Sequence, residues 1–502
     1  MLGDDVLYLS VRELGEQIRA RKISPVELAE SYLDRSERIG PKLNAYATIT
    51  RDLALKQAHA AEAEIAAGHY RGPLHGMPYA LKDLVAVEGY PTTWGARPFA
   101  NQRFDYNATI VERLNRAGGV LIGKAAMIEL AGGLGYSSAF ASLTGPARNP
   151  WNTDRWTCGS SSGSGAVVSA ALAPWAIGSD TRGSTICPGA WCGISAMRPS
   201  FGRVSRHGAM AIAWSMDKLC PMARTADDCG LILSVIAGHD PQDIDSLPGH
   251  FQYPQPDLEP KMPIRIGRLT NAWNHLEPGL DDAVNAALKV MEQNGARVSD
   301  VAFPDGPYEE VAELTIQMEA VSAFQDLIES GRCFELEDPL GKINGYAGFQ
   351  FSTQDYLQVQ RVRTFLQERI DGLFENYDVL ATAGESSAAS PIKEVERPPQ
   401  PPHPAHSPHR PPTAYRIDER APDGISSLCG LPALTVPCGF SKEHLPFGVQ
   451  FIGRARNDHA VIAAQGCTRR TRTGKRNGRR FSESRAPAFQ TEGITVRATL
   501  SA

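Results

Sequence analysis

The sequence predicts an α/β fold, in which helices cover both faces of a central mixed, twisted sheet. Three observations carry this expectation. Helix and strand patterns alternate along the chain, as in Val111 to Ala117 followed by Gly119-Val120-Leu121-Ile122-Gly123. The strand runs are short and nearly all apolar, as buried strands are. Hydrophobic residues make up 42% of the 502 positions and charged residues 21%, enough for a large packed core.

Ser10-Val11-Arg12-Glu13 has the form of a capping box, and Ser24-Pro25 places proline in the first helical turn. A helix is expected from about Leu53 to Ala67. Leu74 to Leu84 follows as an apolar strand holding one lysine and one aspartate, Lys82 and Asp83. Further on, Thr225 to Ala237 and Leu280 to Gln293 read as helices. Pro263 to Gly267 and Val298 to Phe303 read as strands. Glu309 to Gly331 and Gln354 to Asn376 have long helical patterns. Asp378 to Thr382, Leu431 to Pro437 and Pro446 to Ile452 return to the sheet. Helix followed by strand, repeated, argues that much of the sheet is parallel. Arg397 to Pro412, rich in proline and histidine, is expected to be an irregular loop.

The chemistry is concentrated between Cys158 and Gly202. Two serine- and glycine-rich turns, Gly159-Ser160-Ser161-Ser162-Gly163-Ser164 and Gly178-Ser179-Asp180-Thr181-Arg182-Gly183-Ser184, enclose a helix former (Ala166 to Leu172) and a short strand (Pro174 to Ile177). A flexible linker would not enclose an apolar helix and strand. Such turns leave backbone N–H groups able to hold an anion or a developing oxyanion. Neither turn contains a histidine; His75 and His207 are the nearest in sequence. Gly159 to Gly163 also fits Gly-x-Ser-x-Gly, but the polar run from Asn149 to Arg155 is not the buried strand a nucleophile elbow requires. No Gly-Lys-Ser/Thr follows either turn, so neither is a phosphate loop.

Together with Pro188 and Cys192-Gly193, these turns resemble the signature of the amidase signature family, and the similarity runs from about Val11 to about Arg454. The resemblance implies that fold and an amidase that opens a carboxamide through an acyl-enzyme, releasing ammonia or an amine. It implies Ser184 as nucleophile, with Ser160, on a cis peptide bond, relaying its proton to Lys82. Burial lowers a lysine pKa, the direction a base requires. The backbone N–H groups of Thr181, Arg182, Gly183 and Ser184 would form the oxyanion hole, with Ser161 and Asp180 orienting the turns. Taken singly, Lys82 has a lesser reading as a strand-end lysine with a solvated head, Ser160 reads better as a helix cap than as a catalytic group, and Ser184 reads also as a turn residue. Only their order points to chemistry. The chain departs from the family at Arg182 and Cys158, where glycine is usual, and at Ile186, where arginine is frequent. Cys220 and Met197 replace small residues. A guanidinium at Arg182 would either favour anionic amides or be a solvated charge.

The resemblance also implies one domain over 1–465: N-terminal helices (1–70), catalytic motifs (71–225), a variable substrate-side region (260–375) and C-terminal strands (378–465). Residues 466–502 depart from the family as a basic, glycine-interrupted tail, expected to be disordered. Two activities share this signature: a stand-alone amidase, and the A subunit of a tRNA-dependent amidotransferase, which frees ammonia from glutamine. A non-catalytic binding module with the same fold is the reading from another class. The partner expected is a small-molecule amide. Nucleic acid is not expected outside the amidotransferase reading, because the net charge is −5. Homo-oligomerisation is left open. No apolar run approaches the roughly 20 residues of a membrane helix, and the start of the chain lacks secretion-signal features. The nine cysteines lack metal-ligand spacing. They are expected to be reduced, in a cytoplasmic protein with no metal and no cofactor.

Overall fold

A computed structural model describes residues 2–254, 263–394 and 421–464. The proline- and histidine-rich run and the basic tail lie outside these residues. The strands are β1 (Tyr46–Ile49), β2 (Pro78–Lys82), β3 (Val120–Ala125), β4 (Arg148–Asn149), β5 (Asn152–Trp156), β6 (Trp175–Asp180), β7 (Ser195–Arg198), β8 (Lys218–Ala223), β9 (Arg265–Leu269), β10 (Arg297–Val301), β11 (Val379–Ala383), β12 (Ala433–Phe440) and β13 (Pro446–Gly453). Among the described residues, eleven of them form one sheet in the order β1-β3-β2-β6-β8-β7-β12-β13-β11-β9-β10. Every residue of β2, β3, β6, β8 and β13 is buried, so both faces of the sheet are covered. The outermost strands, β1 and β10, contain no fully buried residue.

The sheet is mixed, but less parallel than the alternating pattern implies. β2 pairs parallel with β3 and β6, and β9 with β10 and β11. The middle, from β6 through β8, β7, β12 and β13, is antiparallel. The reason is local: β7 and β8 follow the second serine turn without a long helix between them, so the chain doubles back beside β6.

The helices begin where their caps predict. Ser10 forms a complete capping box with Glu13, and Ser24 accepts from Val26 N and Glu27 N ahead of the helix Pro25–Leu43. The helix expected over 309–331 is instead two, Tyr308–Ala323 and Gln325–Glu329. Between them Phe324 leaves helical geometry (φ −111°, ψ 23°) and buries its ring beside Trp94. The polar run at 149–155 contributes to the two-stranded β4–β5 hairpin, outside the main sheet.

Candidate active site

A helix and then strand β6 connect one serine turn to the other. The helix is Ser162–Ser169, whose start packs against β3 so closely that a Cβ on Gly163 would meet Ala126 N at 2.4 Å and Ala45 O at 2.5 Å. Ser161 then stitches the turns together. Its N–H donates to Ser184 O (3.1 Å), its Oγ donates to Ser179 O (3.1 Å), and Ser179 N donates back to that Oγ (3.2 Å). The peptide bond between Gly159 and Ser160 is cis.

Lys82 ends β2 and is fully buried. Its Nζ donates to Ser160 Oγ (2.7 Å) and to Ser179 Oγ (2.9 Å). Asp83 follows it in sequence but, with the alternation of a strand, takes another direction and pairs with buried Lys124 at 2.9 Å. Among the described residues Lys82 has no carboxylate within ion-pairing distance. Burial therefore dominates, and despite weaker opposing influences from Asp180, Cys220 and Asp217 the pKa of Lys82 falls to about 7.

Asp180 is the residue around which the second turn closes. Its fully buried carboxylate accepts from Gly183 N, Thr185 N and Thr185 Oγ1, each at 2.8 Å, and pairs with buried Arg198 at 3.1 Å. Burial alone would raise its pKa, but the charges of Arg198 and Lys218 and these hydrogen bonds hold it below the usual value. Gly183 N–H, one of four expected oxyanion donors, is thus engaged by Asp180. Gly183 has φ +87°, and a Cβ there would meet Asp423 Oδ2 at 2.4 Å, so only glycine fits.

Ser184, partly exposed, lines a cavity of about 370 Å³ together with Arg182, Glu313 and Asp423. Neither predicted orientation of Arg182 describes its setting. It is neither a free cation in the cavity nor a solvated charge, because it is ion-paired with Glu309 (2.8 Å) and Glu313 of the helix Tyr308–Ala323. His75 is buried away from the turns, beside Glu64 (3.2 Å), and the ring of His207 lies against Tyr106.

The structure adds residues to which the sequence assigns no role. Ser179 is the second acceptor of Lys82. Arg198 neutralises Asp180. Lys218 is a second buried lysine with a pKa lowered to about 7, chiefly by burial and then by Arg198. It donates to Ser427 Oγ (2.6 Å), which in turn donates to Thr181 O, so it braces the turn from behind and does not reach either predicted catalytic serine. Ser179 stands inside the second serine turn. The others carry no local signal, because their partners lie far off in sequence.

One expectation about the cysteines is corrected. Cys158 and Cys187 form a disulfide with a Cα–Cα distance of 5.9 Å, because the helix and strand between the two turns bring their ends together. The other six described cysteines are unpaired.

Comparison with known proteins agrees with this architecture. Residues 27–462 match the amidase family. The chain is 35% identical to the A subunit of glutamyl-tRNA(Gln) amidotransferase from Carboxydothermus hydrogenoformans, over 91% of this chain and 96% of that protein. Among solved structures it is similar to the native peptide amidase of Stenotrophomonas maltophilia (TM-score 0.79, 27% identity, covering 94% and 98% of the two chains). It is also similar to the A subunit of glutamyl-tRNA(Gln) amidotransferase from Thermotoga maritima (TM-score 0.73, 26% identity, 92% and 94%). With a match over most of its length, the chain belongs to the amidase family and is a hydrolase of amide carbon–nitrogen bonds.

Proposed function

We propose that Ser184 attacks the carbonyl of a carboxamide, that its proton passes through Ser160 to neutral Lys82, and that an acyl-enzyme on Ser184 follows. Ammonia or an amine leaves with the returned proton, and water activated by the same relay frees the acid. The observation that carries this reading is the 2.7 Å contact between Lys82 Nζ and Ser160 Oγ, in a setting where burial keeps the amine substantially neutral near pH 7. Because Gly183 N–H is held by Asp180, the oxyanion hole draws on the N–H groups of Thr181, Arg182 and Ser184.

Two settings use this chemistry. The peptide amidase likeness supports a stand-alone enzyme acting on small amides. The sequence likeness to the amidotransferase chains supports glutamine as the amide, with ammonia passed to a partner protein. We favour the stand-alone enzyme, on the tie between Arg182 of the cavity wall and Glu309 and Glu313 of one helix. We place it in the cytoplasm, on the six described cysteines that stay unpaired, with the Cys158–Cys187 disulfide as the opposing observation. A fluorophosphonate probe should label wild-type protein once, at Ser184, and fail on Ser184→Ala. Unlabelled wild-type protein would favour the non-catalytic reading. A screen of glutamine, asparagine, aliphatic and aryl amides then identifies the substrate class. Glutaminase activity that rises on adding charged tRNA and the other amidotransferase chains would decide for the amidotransferase.

A further inference from the structure

Cys158 directly precedes the cis Gly159–Ser160 bond, and Cys187 lies three positions beyond Ser184. Both line the same cavity as Ser184, as does Glu385, which follows β11. All three residues are buried, at 2%, 4% and 7% exposure. The sulfurs and a carboxylate oxygen lie within 4.8 Å of one another. Sequence spacing gives no hint of this cluster: Cys158 and Cys187 are separated by 29 residues, and Glu385 comes from the far side of the chain. The fold alone assembles it.

We propose that Cys158, Cys187 and Glu385 form a binding site for one soft divalent cation of the zinc and cadmium class once an external dithiol has opened the disulfide. The reduction balances as thiol–disulfide exchange. The dithiol supplies two electrons and two protons, the Cys158–Cys187 bond breaks, each sulfur becomes a thiol, and the reductant closes to its own disulfide. Binding the cation displaces both thiol protons to solvent and leaves two thiolates and one carboxylate, three negative charges around a 2+ ion. Thiolates select soft cations, with metal–sulfur distances of about 2.3 Å and metal–oxygen distances of about 2.0–2.2 Å for zinc. The 5.9 Å Cα–Cα separation that permits the disulfide leaves both sulfurs able to reach one ion after small side-chain rotations. Three protein ligands on a cavity wall leave the fourth tetrahedral position facing the cavity, open to water or an anionic group. Resting on the amidase reading, the consequence is inhibition: a cation there would crowd the acyl group on Ser184 in reduced protein and have no effect on the disulfide form.

The test does not need turnover. Full-length protein is treated with dithiothreitol under anaerobic conditions, freed of reductant and titrated with Cd²⁺, with the thiolate-to-cadmium charge-transfer band as readout. Untreated protein is titrated in parallel. The expected result is saturation at one equivalent in reduced protein and no band in untreated protein. Zn²⁺ in large excess should displace Cd²⁺ from the reduced form, because thiolates hold the softer Cd²⁺ more tightly. The reduced Cys158→Ser and Cys187→Ser variants should lose the band, and Glu385→Gln should keep it with affinity at least tenfold weaker. An equal band in untreated protein, no band in reduced protein, or an undiminished band in the two serine variants would overturn the proposal. The comparison of reduced and untreated wild type needs no variant to fold. If the cation binds while no amide is hydrolysed, the site stands and the amidase reading fails.

Discussion

The Nζ of Lys82 donates to the Oγ of Ser160 at 2.7 Å while the neighbouring carboxylate, Asp83, is committed to Lys124. That division of partners leaves burial to set the protonation of Lys82. With a folded pKa of about 7 against the usual 10.5, we predict that kcat/KM falls about tenfold per pH unit below about pH 7, as the amine takes up a proton and stops acting as a base. A pH–rate profile flat from 8 down to 5 would remove Lys82 from this role.

The same shift predicts an effect on stability. Between about pH 7 and 10.5 the unfolded chain carries a proton on Lys82 that the folded chain lacks, so folding stability rises with pH across that window. The cost of burying Lys82 is fully present below pH 7. Lys82→Met should therefore abolish hydrolysis yet stabilise the fold at neutral pH, by on the order of 1–4 kcal/mol, with a smaller gain near pH 10. Urea unfolding at the two pH values measures it. Lys218, also near 7, is the control: Lys218→Met should alter stability while any remaining activity keeps its acid limb.

Ser184→Ala should reduce turnover by about a thousandfold or more and change unfolding free energy by less than about 0.5 kcal/mol, since the residue is partly exposed at the cavity. Ser160→Ala and Lys82→Ala should each cost nearly as much activity, and the triple variant little more, because groups in one relay do not contribute additively. Losses that multiplied across the three would show that they act separately.

Arg182 is tied to Glu309 and Glu313, so Arg182→Gly is expected to act on the fold more than on substrate choice. The side chain of Glu309 is only 10% exposed, and removing its cation should cost about 2–4 kcal/mol. Adding Glu309→Gln should recover much of this. The ratio of kcat/KM for anionic and neutral amides should stay within about threefold of wild type. A tenfold drop for anionic amides alone would mean that the guanidinium contacts substrate.

Asp180→Asn should lower kcat with little change in KM, by roughly ten- to a hundredfold, because the carboxylate fixes both Gly183 N and Thr185 N beside Ser184, the proposed nucleophile. It should also destabilise by about 3 kcal/mol, since buried Arg198 loses the nearer of its two ionic partners and keeps only Asp423 at 3.9 Å. Asp180→Asn combined with Arg198→Met should restore stability without restoring rate. Recovery of both would assign Asp180 a purely structural role.

The roles proposed for Lys82, Ser160 and Ser184 came from the family resemblance, which was legible because its two serine turns flank a single helix–strand unit in fixed order, with a lysine in an apolar strand ahead of them. Capping residues such as Ser10 were legible because their partners lie within one turn. Arg198, Lys218 and Glu309 were not, because what defines them is a contact across the fold. The Cys158–Cys187 pairing was hidden in the same way. The antiparallel middle of the sheet escaped because apolar periodicity gives a strand's burial and not its direction. The break at Phe324 escaped because no glycine or proline marks it.

The strand that leads into the second serine turn is flanked in the sheet by β8, and Lys218 braces that turn, whereas the cavity beside it is lined by the helix Tyr308–Ala323, more than a hundred positions later in the chain. On the proposed mechanism, the bond-breaking groups and this wall of the cavity are written on separate stretches of sequence, and each can drift under its own selection. A lineage could exchange the outer helix and inherit the inner machinery unchanged. The ion pairs from Arg182 to Glu309 and Glu313 are a joint between the two, so a new helix would have to bring carboxylates for that arginine or arrive together with its loss.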